Sequence, residues 1–293
     1  MVDSLGVKPL LVLLALCALT RADTISFAEE TGGDRSVASM LAIAENLYAT
    51  VTVVGADPST AVRGVDEEGT KLPLVAHDVV SRLTFLARPV GGGEAEFPEL
   101  GQGRSLRRGA HIYLDPENLE RPSRVISWEN SYEENVLPLS LMRVHHPGEV
   151  SPKPGTPLYD ADGKLVALCH QKTDEYGNGT YALPAEVIAK VRKDLRAHGK
   201  AIRCWIGIVM EIKYTVPAIV TVRPESPAAQ AGVKKGDILL SVGGHEVKSY
   251  ADTLNAFYYL MEGEETEVTL LRKTEKITLK VVPEVSPLEQ PEE

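Results

Sequence analysis

Hydrophobic residues over much of the chain fall in short runs that glycine, proline and asparagine separate. Short apolar runs at such spacing predict β-strands and favour an all-β barrel or sandwich. The clearest runs are residues 49–54, 83–86, 111–114, 125–128 and 165–168. Residues 36–47 differ, because their apolar positions recur at helical spacing and predict a short helix.

The hydrophobic period changes in the second half of the chain. Residues 184–198 (PAEVIAKVRKDLRAH) place Val187, Ile188 and Val191 on one helical face, and Gly199 follows as a stop signal. We therefore predict a helix that connects two domains. The second domain, residues 201–283, is expected to hold five strands and one helix. These are strands at 206–212, 218–222, 238–242, 267–271 and 277–282, and a helix at 251–261.

The two ends of the chain carry different signals. Lys8 precedes an apolar run over residues 9–19, and Ala22 closes a small-residue cleavage pattern, so residues 1–22 are expected to be a secretory signal peptide. The run is too short for a transmembrane helix, although an uncleaved anchor is the alternative. Residues 284–293 are acidic and contain proline, and we expect them to be disordered. The mature protein is thus predicted to be periplasmic or secreted, without an integral membrane span.

Composition narrows the class of partner. The chain has 293 residues, 43% of them hydrophobic, which suits about two domains with real cores. Its net charge of −10 argues against nucleic acid, because phosphate binding needs a clustered basic surface. Cys169 and Cys204 could pair in an exported protein, or stay as two buried thiols. His145, His146 and His170 lack the spacing of metal ligands, so we expect no metal and no cofactor.

Two segments resemble a PDZ domain, namely residues 204–208 (CWIGI) and 224–239 (PESPAAQAGVKKGDIL). The resemblance implies a β-barrel-like sheet with a capping helix, and a loop whose backbone N–H groups hold the terminal carboxylate of a peptide. The peptide would then add as a strand beside the loop. The residues expected to contact it are Arg203, Trp205, Ile206, Gly207, Ile208, Val209, Met210, Leu254, Phe257 and Tyr258.

The resemblance extends upstream of this domain. Residues 181–184 (YALP), the connecting helix and residues 199–208 (GKAIRCWIGI) resemble the junction of the HtrA (Deg) family, exported trypsin-like serine proteases with C-terminal PDZ domains. This implies a mainly β chain, in which residues 23–200 form a trypsin-like double β-barrel. Because the mature chain before Arg82, the residue at the position of the family's aspartate, is short, the first barrel is expected to be reduced.

The family's catalytic motifs are altered in this sequence. Where the family has Gly-Asn-Ser-Gly-Gly-Pro-Leu, residues 152–158 read PKPGTPL, so Pro154 takes the place of the nucleophile. Where the family has Asp-Leu-Ala-Val-Leu, residues 82–86 read RLTFL, so Arg82 takes the place of the acid. The histidine motif Thr-x-x-His-Val-Val has no clear counterpart, and we interpret His77 as a strand-end histidine. A triad needs a nucleophile, a base and an orienting carboxylate, so these changes predict a lost active site.

Three functions follow as alternatives. The leading hypothesis is a non-catalytic HtrA-like protein that binds peptides or protein C-termini, including those of misfolded or envelope proteins. It would act as a scaffold, a regulator or a chaperone-like protein, possible partners being further copies of itself or an active protease relative. The second hypothesis is an active endopeptidase with a displaced nucleophile, for which Ser151 is the candidate. The third is a structural oligomer subunit whose PDZ groove is empty.

Overall fold

The computed structural model describes most of the chain. The described residues are 23–66, 68–89, 97–132, 135–148, 150–173, 178–210 and 216–289. The predicted signal peptide, residues 1–22, lies outside them. Within the described part, no helix is long and apolar enough to cross a membrane. Strands dominate the described chain, so the prediction of a mainly β fold is confirmed.

The first sheet is built entirely from the N-terminal segment. Its strands are β1 (Asp23–Ala28), β2 (Arg35–Ala44), β3 (Leu47–Val51), β4 (Val62–Arg63), β5 (Thr70–Lys71), β6 (Leu74–His77) and β7 (Leu83–Ala87). They pair antiparallel in the order β5-β4-β1-β2-β3-β7-β6. Short strands and tight turns fit seven strands into this segment, and β4 and β5 have only two residues each, so the expected reduction of the first barrel stays a prediction. Strand β3 covers part of the strand predicted at 49–54.

The helix predicted at residues 36–47 is wrong, because this segment forms strands β2 and β3. Along β2, Ala38 and Met40 pack into a core inside the first sheet, whereas Leu41 and Ile43 pack into the core shared with the second sheet. A strand that is buried on both faces shows no polar alternation. Its apolar residues then imitate helical spacing by chance, and pairing with distant strands decides the conformation.

The second sheet forms the other half of the double barrel. Its strands are β8 (His111–Ile112), β9 (Ser123–Tyr132), β10 (Asn135–His145), β11 (Pro157–Tyr159), β12 (Leu165–Lys172) and β13 (Gly179–Pro184), in the order β11-β12-β13-β10-β9-β8. The strands predicted at 83–86, 125–128 and 165–168 fall on β7, β9 and β12. The one predicted at 111–114 ends earlier, at Ile112.

The connecting helix α1 (Glu186–His198) begins two residues after the predicted start, because Pro184 still belongs to β13. Gly199 ends it in a left-handed conformation with φ +70°, as the sequence predicts. Val187, Ile188 and Val191 are fully buried in the core that both sheets share. The helix therefore holds the barrels together and leads directly into the second domain.

The second domain has its own hydrophobic core. Its elements are β14 (Cys204–Trp205), β15 (Ile208–Met210), β16 (Ile219–Val222), α2 (Pro227–Gln230), β17 (Ile238–Val242), β18 (His245–Glu246), α3 (Tyr250–Tyr258), β19 (Thr266–Arg272), β20 (Glu275–Val281) and β21 (Glu284–Val285). The five predicted strands correspond to β15, β16, β17, β19 and β20. The predicted helix corresponds to α3, which ends three residues early. The described residues also include three 3₁₀ turns, at Pro58–Thr60, Gly103–Ser105 and Pro287–Glu289.

Two further expectations are decided by the second domain. The disorder predicted for residues 284–293 is wrong for 284–289, because β21 pairs with β14 and Ser286 N donates to Arg203 O at 2.8 Å. Residues 290–293 lie outside the described residues. Cys169 and Cys204 are both buried and unpaired, which decides between the two alternatives for these thiols. Burial raises the pKa of Cys169 to about 12, so this thiol stays protonated.

Candidate functional site

A glycine turn stands at the entrance of the PDZ groove. Gly207 has φ +82°, and a Cβ built at this position would lie 2.2 Å from the Cβ of Ser226. Only glycine fits such a backbone and such a close approach. Among the described residues, the N–H groups of Ile206 and Gly207 have no backbone acceptor. This turn can therefore aim two amide donors at an anion, as a PDZ carboxylate loop requires.

The strand after the turn offers a free edge. In the described part of the chain, β15 pairs only with β16, so its other edge faces helix α3. Thr253 Oγ1 on α3 lies 3.9 Å from Met210 Sδ on β15, so the helix contacts this strand. Val209 is 40% exposed, whereas Ile208, Met210 and Phe257 pack against the domain core. An extended peptide has unpaired backbone groups to bind here.

Arg223 is a cation beside the Gly207 turn that was not among the predicted site residues. Its backbone N–H donates to Gly207 O at 2.8 Å, and its guanidinium lies 5.4 Å from the centre of the Trp205 ring. The side chain is exposed, so its charge is available to an incoming anion. The antiparallel register of Ile208 with Val222 brings Arg223 to the loop. That register could not be read from the sequence around Arg223 alone.

Arg203 and Tyr258 lie at the junction with the barrel instead. Arg203 forms an ion pair with Asp78 in the turn between β6 and β7, and its guanidinium lies 5.0 Å from the centre of the Tyr258 ring. The Tyr258 hydroxyl donates to Asp78 at 2.6 Å, and Ser81 Oγ donates to the same carboxylate at 2.6 Å. Ile206 is also not at the surface, since its side chain is buried in the domain core.

This junction holds Asp78 in its charged form. Burial alone would raise the pKa of Asp78, but the charge of Arg203 and the hydrogen bonds from Ser81 and Tyr258 outweigh burial and lower it. Two more contacts join helix α3 to the second sheet. Asn130 Nδ2 donates to Asp252 Oδ1 at 3.2 Å, and Ser140 N donates to Asn255 Oδ1 at 3.0 Å. Helix α3 thus contacts β15 on one side and the second sheet of the barrel on the other.

The turn at Pro154 lies where the two sheets meet. Ser39 N donates to Pro154 O at 2.7 Å, and Gly155 N donates to Cys169 O at 2.7 Å. Gly155 has φ +81°, and a Cβ there would lie 1.9 Å from Ser39 O. The hydroxyls of Ser39 and Thr156 are 3.0 Å apart. No described histidine or carboxylate bonds to either hydroxyl, so neither is activated as a nucleophile needs to be.

Arg82 immediately precedes β7 and has a left-handed conformation, with φ +56°. Its Nη2 donates to a ring nitrogen of His170 at 2.7 Å and to Gln171 Oε1 at 2.8 Å. Burial lowers the pKa of Arg82 to about 10, which leaves it charged at neutral pH. Burial first, and then the charge of Arg82, lower the pKa of His170 to about 3, so this imidazole is neutral.

His77 lies at the end of β6, as a strand-end histidine should. Its Nδ1 is 2.8 Å from Thr84 Oγ1, which in turn is 2.6 Å from Thr52 Oγ1. Burial, with a smaller contribution from the charge of Arg82, lowers the pKa of His77. The backbone N–H of Thr52 donates to Arg82 O at 3.0 Å. The imidazole therefore joins a chain of threonine hydroxyls in which no serine takes part.

One serine does contact a histidine, in the core of the second sheet. Ser123 Oγ lies 2.9 Å from His146 Nδ1, and His146 Nε2 lies 2.8 Å from Thr180 Oγ1. Ser123 and His146 are each 0% exposed, and burial lowers the pKa of His146 to about 4. A substrate cannot reach this pair, which we interpret as a satisfied polar network. The displaced candidate Ser151 is exposed on its loop.

Comparison with known proteins finds relatives of both the barrel domain and the PDZ domain. The family model described as PDZ domain matches residues 204–282. A probable periplasmic serine endoprotease, DegP-like, of Pseudomonas savastanoi pv. phaseolicola is 25% identical over 247 residues, 78% of this chain and 51% of that protein. A protein of the same name from Pseudomonas fulva is 27% identical over 154 residues, 47% of this chain and 32% of that protein. The chain thus spans about half, or less, of the length of these curated relatives.

Solved structures share the fold over both domains. The HtrA-type protease AlgW with tripeptide superposes with a TM-score of 0.59 at 18% identity, covering 91% of this chain and 94% of that one. The serine endoprotease from Yersinia pestis superposes with a TM-score of 0.52 at 19% identity, covering 90% of this chain and 94% of that one. The relatives are named periplasmic, in agreement with the predicted export. The chain is thus similar to DegP-like endoproteases in sequence and to HtrA-type proteases in fold, and its residues 204–282 match a PDZ domain.

Proposed function

We propose that this protein binds peptides or protein C-termini through its PDZ groove and does not hydrolyse them. The observation that carries the proposal is the pair of residues at the motif positions, Pro154 and Arg82. Proline has no nucleophile, and the Arg82 guanidinium donates to His170 and Gln171 where an acid would accept from a base. A cation there would oppose an imidazolium instead of stabilising it.

We also infer the counterpart of the missing histidine. Residues 52–54 (TVV) fit the end of the family's His-Val-Val motif, and Thr52 N donates to Arg82 O at 3.0 Å. Thr52 would then stand where the base belongs, adjacent to Arg82 in place of the acid. A threonine hydroxyl cannot take a proton at neutral pH as an imidazole can. All three members of the triad would be replaced.

The groove supports the binding half of the proposal. The Gly207 turn presents amide donors, β15 presents a free edge, and Arg223 adds a positive charge beside the loop. The carboxylate of a protein C-terminus complements this arrangement, and a peptide amide does not. In the periplasm, misfolded or envelope proteins would expose such ends. The protein would then serve as a scaffold, a regulator or a chaperone-like protein.

One experiment tests both halves on the full mature chain. Fluorescence polarisation should show saturable binding of labelled peptides from a C-terminal library, and amidating the C-terminus should weaken binding at least tenfold. In parallel, a fluorophosphonate probe should leave the protein unlabelled, and unfolded casein should remain intact. Serine-dependent labelling or casein cleavage would overturn the non-catalytic half. No saturable binding by any library member would overturn the binding half.

Two alternative functions remain, and one of them has a supporting fact. Relatives are named serine endoproteases, which favours an active endopeptidase with a displaced nucleophile such as the exposed Ser151. In that case a Ser151→Ala variant would lose probe labelling that the wild type shows. A structural oligomer subunit with an empty groove is the third possibility. It would form stable oligomers in sedimentation and bind no C-terminal peptide.

A further inference from the structure

A small apolar pocket lies beside Arg82, away from the PDZ groove. Its volume is about 170 Å³, and Val54, Leu137 and Leu141 supply apolar walls. Its remaining lining residues carry polar groups, namely Arg82, Ser131, His170, Gln171 and Tyr181. The pocket draws on both barrels, since Val54 follows β3 and the two leucines lie on β10. A charged group and an apolar wall thus face the same small space.

The neighbours of Arg82 accept hydrogen bonds from only part of its guanidinium. Its Nε donates to His170 Nε2 at 3.2 Å, and Nη2 donates to His170 and to Gln171 Oε1. Among the described residues, Nη1 has no hydrogen-bond acceptor and no carboxylate lies within ion-pair distance of this side chain. Burying a charge without a counter-ion is costly, so a partly buried guanidinium of this kind favours an anion.

We propose that this pocket binds a carboxylate carried on a short apolar group, with the carboxylate at Arg82 and the apolar group against Val54, Leu137 and Leu141. The size is suitable, because a cavity of about 150 Å³ accommodates benzene. A strongly hydrated anion such as sulfate would leave the apolar walls without a partner. The same chemistry is found in a free carboxylic acid and in the apolar C-terminal residue of a peptide.

The neighbours of Arg82 keep its charge uncompensated. His170 is neutral, because its pKa is lowered to about 3 by burial and by Arg82. His77, which also lies close enough to interact with Arg82, has a lowered pKa as well. Gln171 carries no charge. Within the described chain, every group facing the guanidinium is therefore neutral at pH 7, and a bound carboxylate would be its counter-ion.

Calorimetric titration of the full mature chain tests the proposal, with benzoate as the probe and benzamide as its neutral isostere. Benzoate should bind saturably, and benzamide and sulfate at least tenfold more weakly. Arg82→Asn should weaken benzoate binding at least tenfold, and asparagine tolerates the positive φ of this position. Val54→Trp should block the mouth of the pocket, because Val54 is 68% exposed. Val65→Trp, at an exposed valine outside the pocket lining, is the matched control and should bind benzoate normally.

A second arm separates the two sources of carboxylate. In a Gly207→Ala background, which closes the PDZ loop, a peptide ending in leucine should bind only if the pocket accepts chain ends. Binding that Arg82→Asn abolishes would assign the pocket to a peptide C-terminus, and benzoate binding alone would assign it to a free acid. Benzoate binding that Arg82→Asn leaves unchanged, or no saturable binding, would overturn the proposal. The PDZ groove would keep its proposed role in either case.

Discussion

The PDZ groove and the turn at Pro154 are both surfaces where a family protease would contact a peptide, but they differ in what they leave available. Within the described residues, the N–H groups of Ile206 and Gly207 have no backbone acceptor, and one edge of β15 has no paired strand. At the turn, Pro154 O accepts from Ser39 and Gly155 N donates to Cys169 O. The groups that would attack a substrate or hold its oxyanion are thus missing or already bonded.

The difference teaches that binding and catalysis place different demands on the same chain. A strand edge binds any extended peptide through the backbone, so many side-chain changes leave it intact. Catalysis needs several named side chains in register, and the loss of one is sufficient to stop it. Arg82, at the position of the acid in the family motif, contacts His170 instead.

The largest expected effect is on the groove. Gly207→Ala should abolish saturable binding of C-terminal peptides, because the new Cβ would collide with Ser226 at 2.2 Å and the loop would have to move. Fluorescence polarisation with a labelled peptide measures the loss, which we expect to exceed about 100-fold.

Gly232→Ala is the matched control for this change. Gly232 has φ +87° but no atom within 4 Å of an added Cβ, so the variant carries similar backbone strain without the collision. It should keep its peptide affinity within about threefold while losing about 1 kcal/mol of stability. Equal affinity in both variants would show that the loop at Gly207 does not hold the carboxylate.

The next largest effect is expected at the junction where Asp78 of the barrel contacts the PDZ domain. Asp78→Asn should destabilise the docked pair of domains by about 2 to 4 kcal/mol, because Arg203 and Tyr258 lose a buried charged acceptor. Trp128 and Trp205 report on the barrel and the PDZ domain separately, as single-tryptophan variants in urea unfolding. The two transitions should separate in Asp78→Asn.

Asp237→Asn serves as the control, since Asp237 pairs with Arg272 inside the PDZ domain. It should shift the Trp205 transition and leave the Trp128 transition in place. Unchanged transitions in Asp78→Asn would mean that the junction does not couple the domains.

Much of the fold was predictable, and the exceptions have physical reasons. Helix α1 was found because one face is apolar and Gly199 stops it. Strand β2 was mistaken for a helix because Met40 and Leu41 face two different cores. Residues 284–289 were expected to be disordered because little in them needs burial. Their order comes from backbone pairing of β21 with β14, which composition does not reveal.

The candidate site was predictable only where it depends on local sequence. Gly207 and the strand after it follow from a short motif that folds as one turn. Arg203 was expected beside the loop, but its ion pair with Asp78 joins residues 125 positions apart. The pairing of Arg82 with His170 spans 88 positions in the same way. Contacts of this kind depend on how distant segments pack, so single-sequence patterns do not contain them.

The buried network of Ser123, His146 and Thr180 predicts a smaller effect, on the pH dependence of stability. This effect distinguishes the network from an active site. The pKa of His146 is about 4 in the folded protein and about 6.5 when unfolded. The unfolded chain therefore binds more protons between these values, so stability is full above pH 6.5 and falls as the pH drops toward 4. At pH 4.5 the loss from this residue should be about 2 kcal/mol relative to pH 8.

Urea unfolding of the wild type and of His146→Gln across this pH range measures the effect. The variant should lose less stability on acidification, because glutamine does not titrate. His111→Gln is the control, since it removes an exposed histidine of the second sheet that does not bond to His146. Equal slopes in the wild type and His146→Gln would contradict a buried neutral imidazole.

The smallest expected effect tests the barrel most directly. Pro154→Ser restores a hydroxyl at the nucleophile position, yet it should remain unlabelled by a fluorophosphonate probe, because no described imidazole is bonded to this turn and Arg82 stands where the acid belongs. The triple variant Thr52→His, Arg82→Asp, Pro154→Ser supplies a base and an acid as well, and aspartate tolerates the φ of +56° at position 82. Measurable labelling in the triple variant alone would mean that the frame is intact and the chemistry was lost. Labelling of Pro154→Ser alone would mean that a base is already in place, and the contrast between groove and barrel would fail.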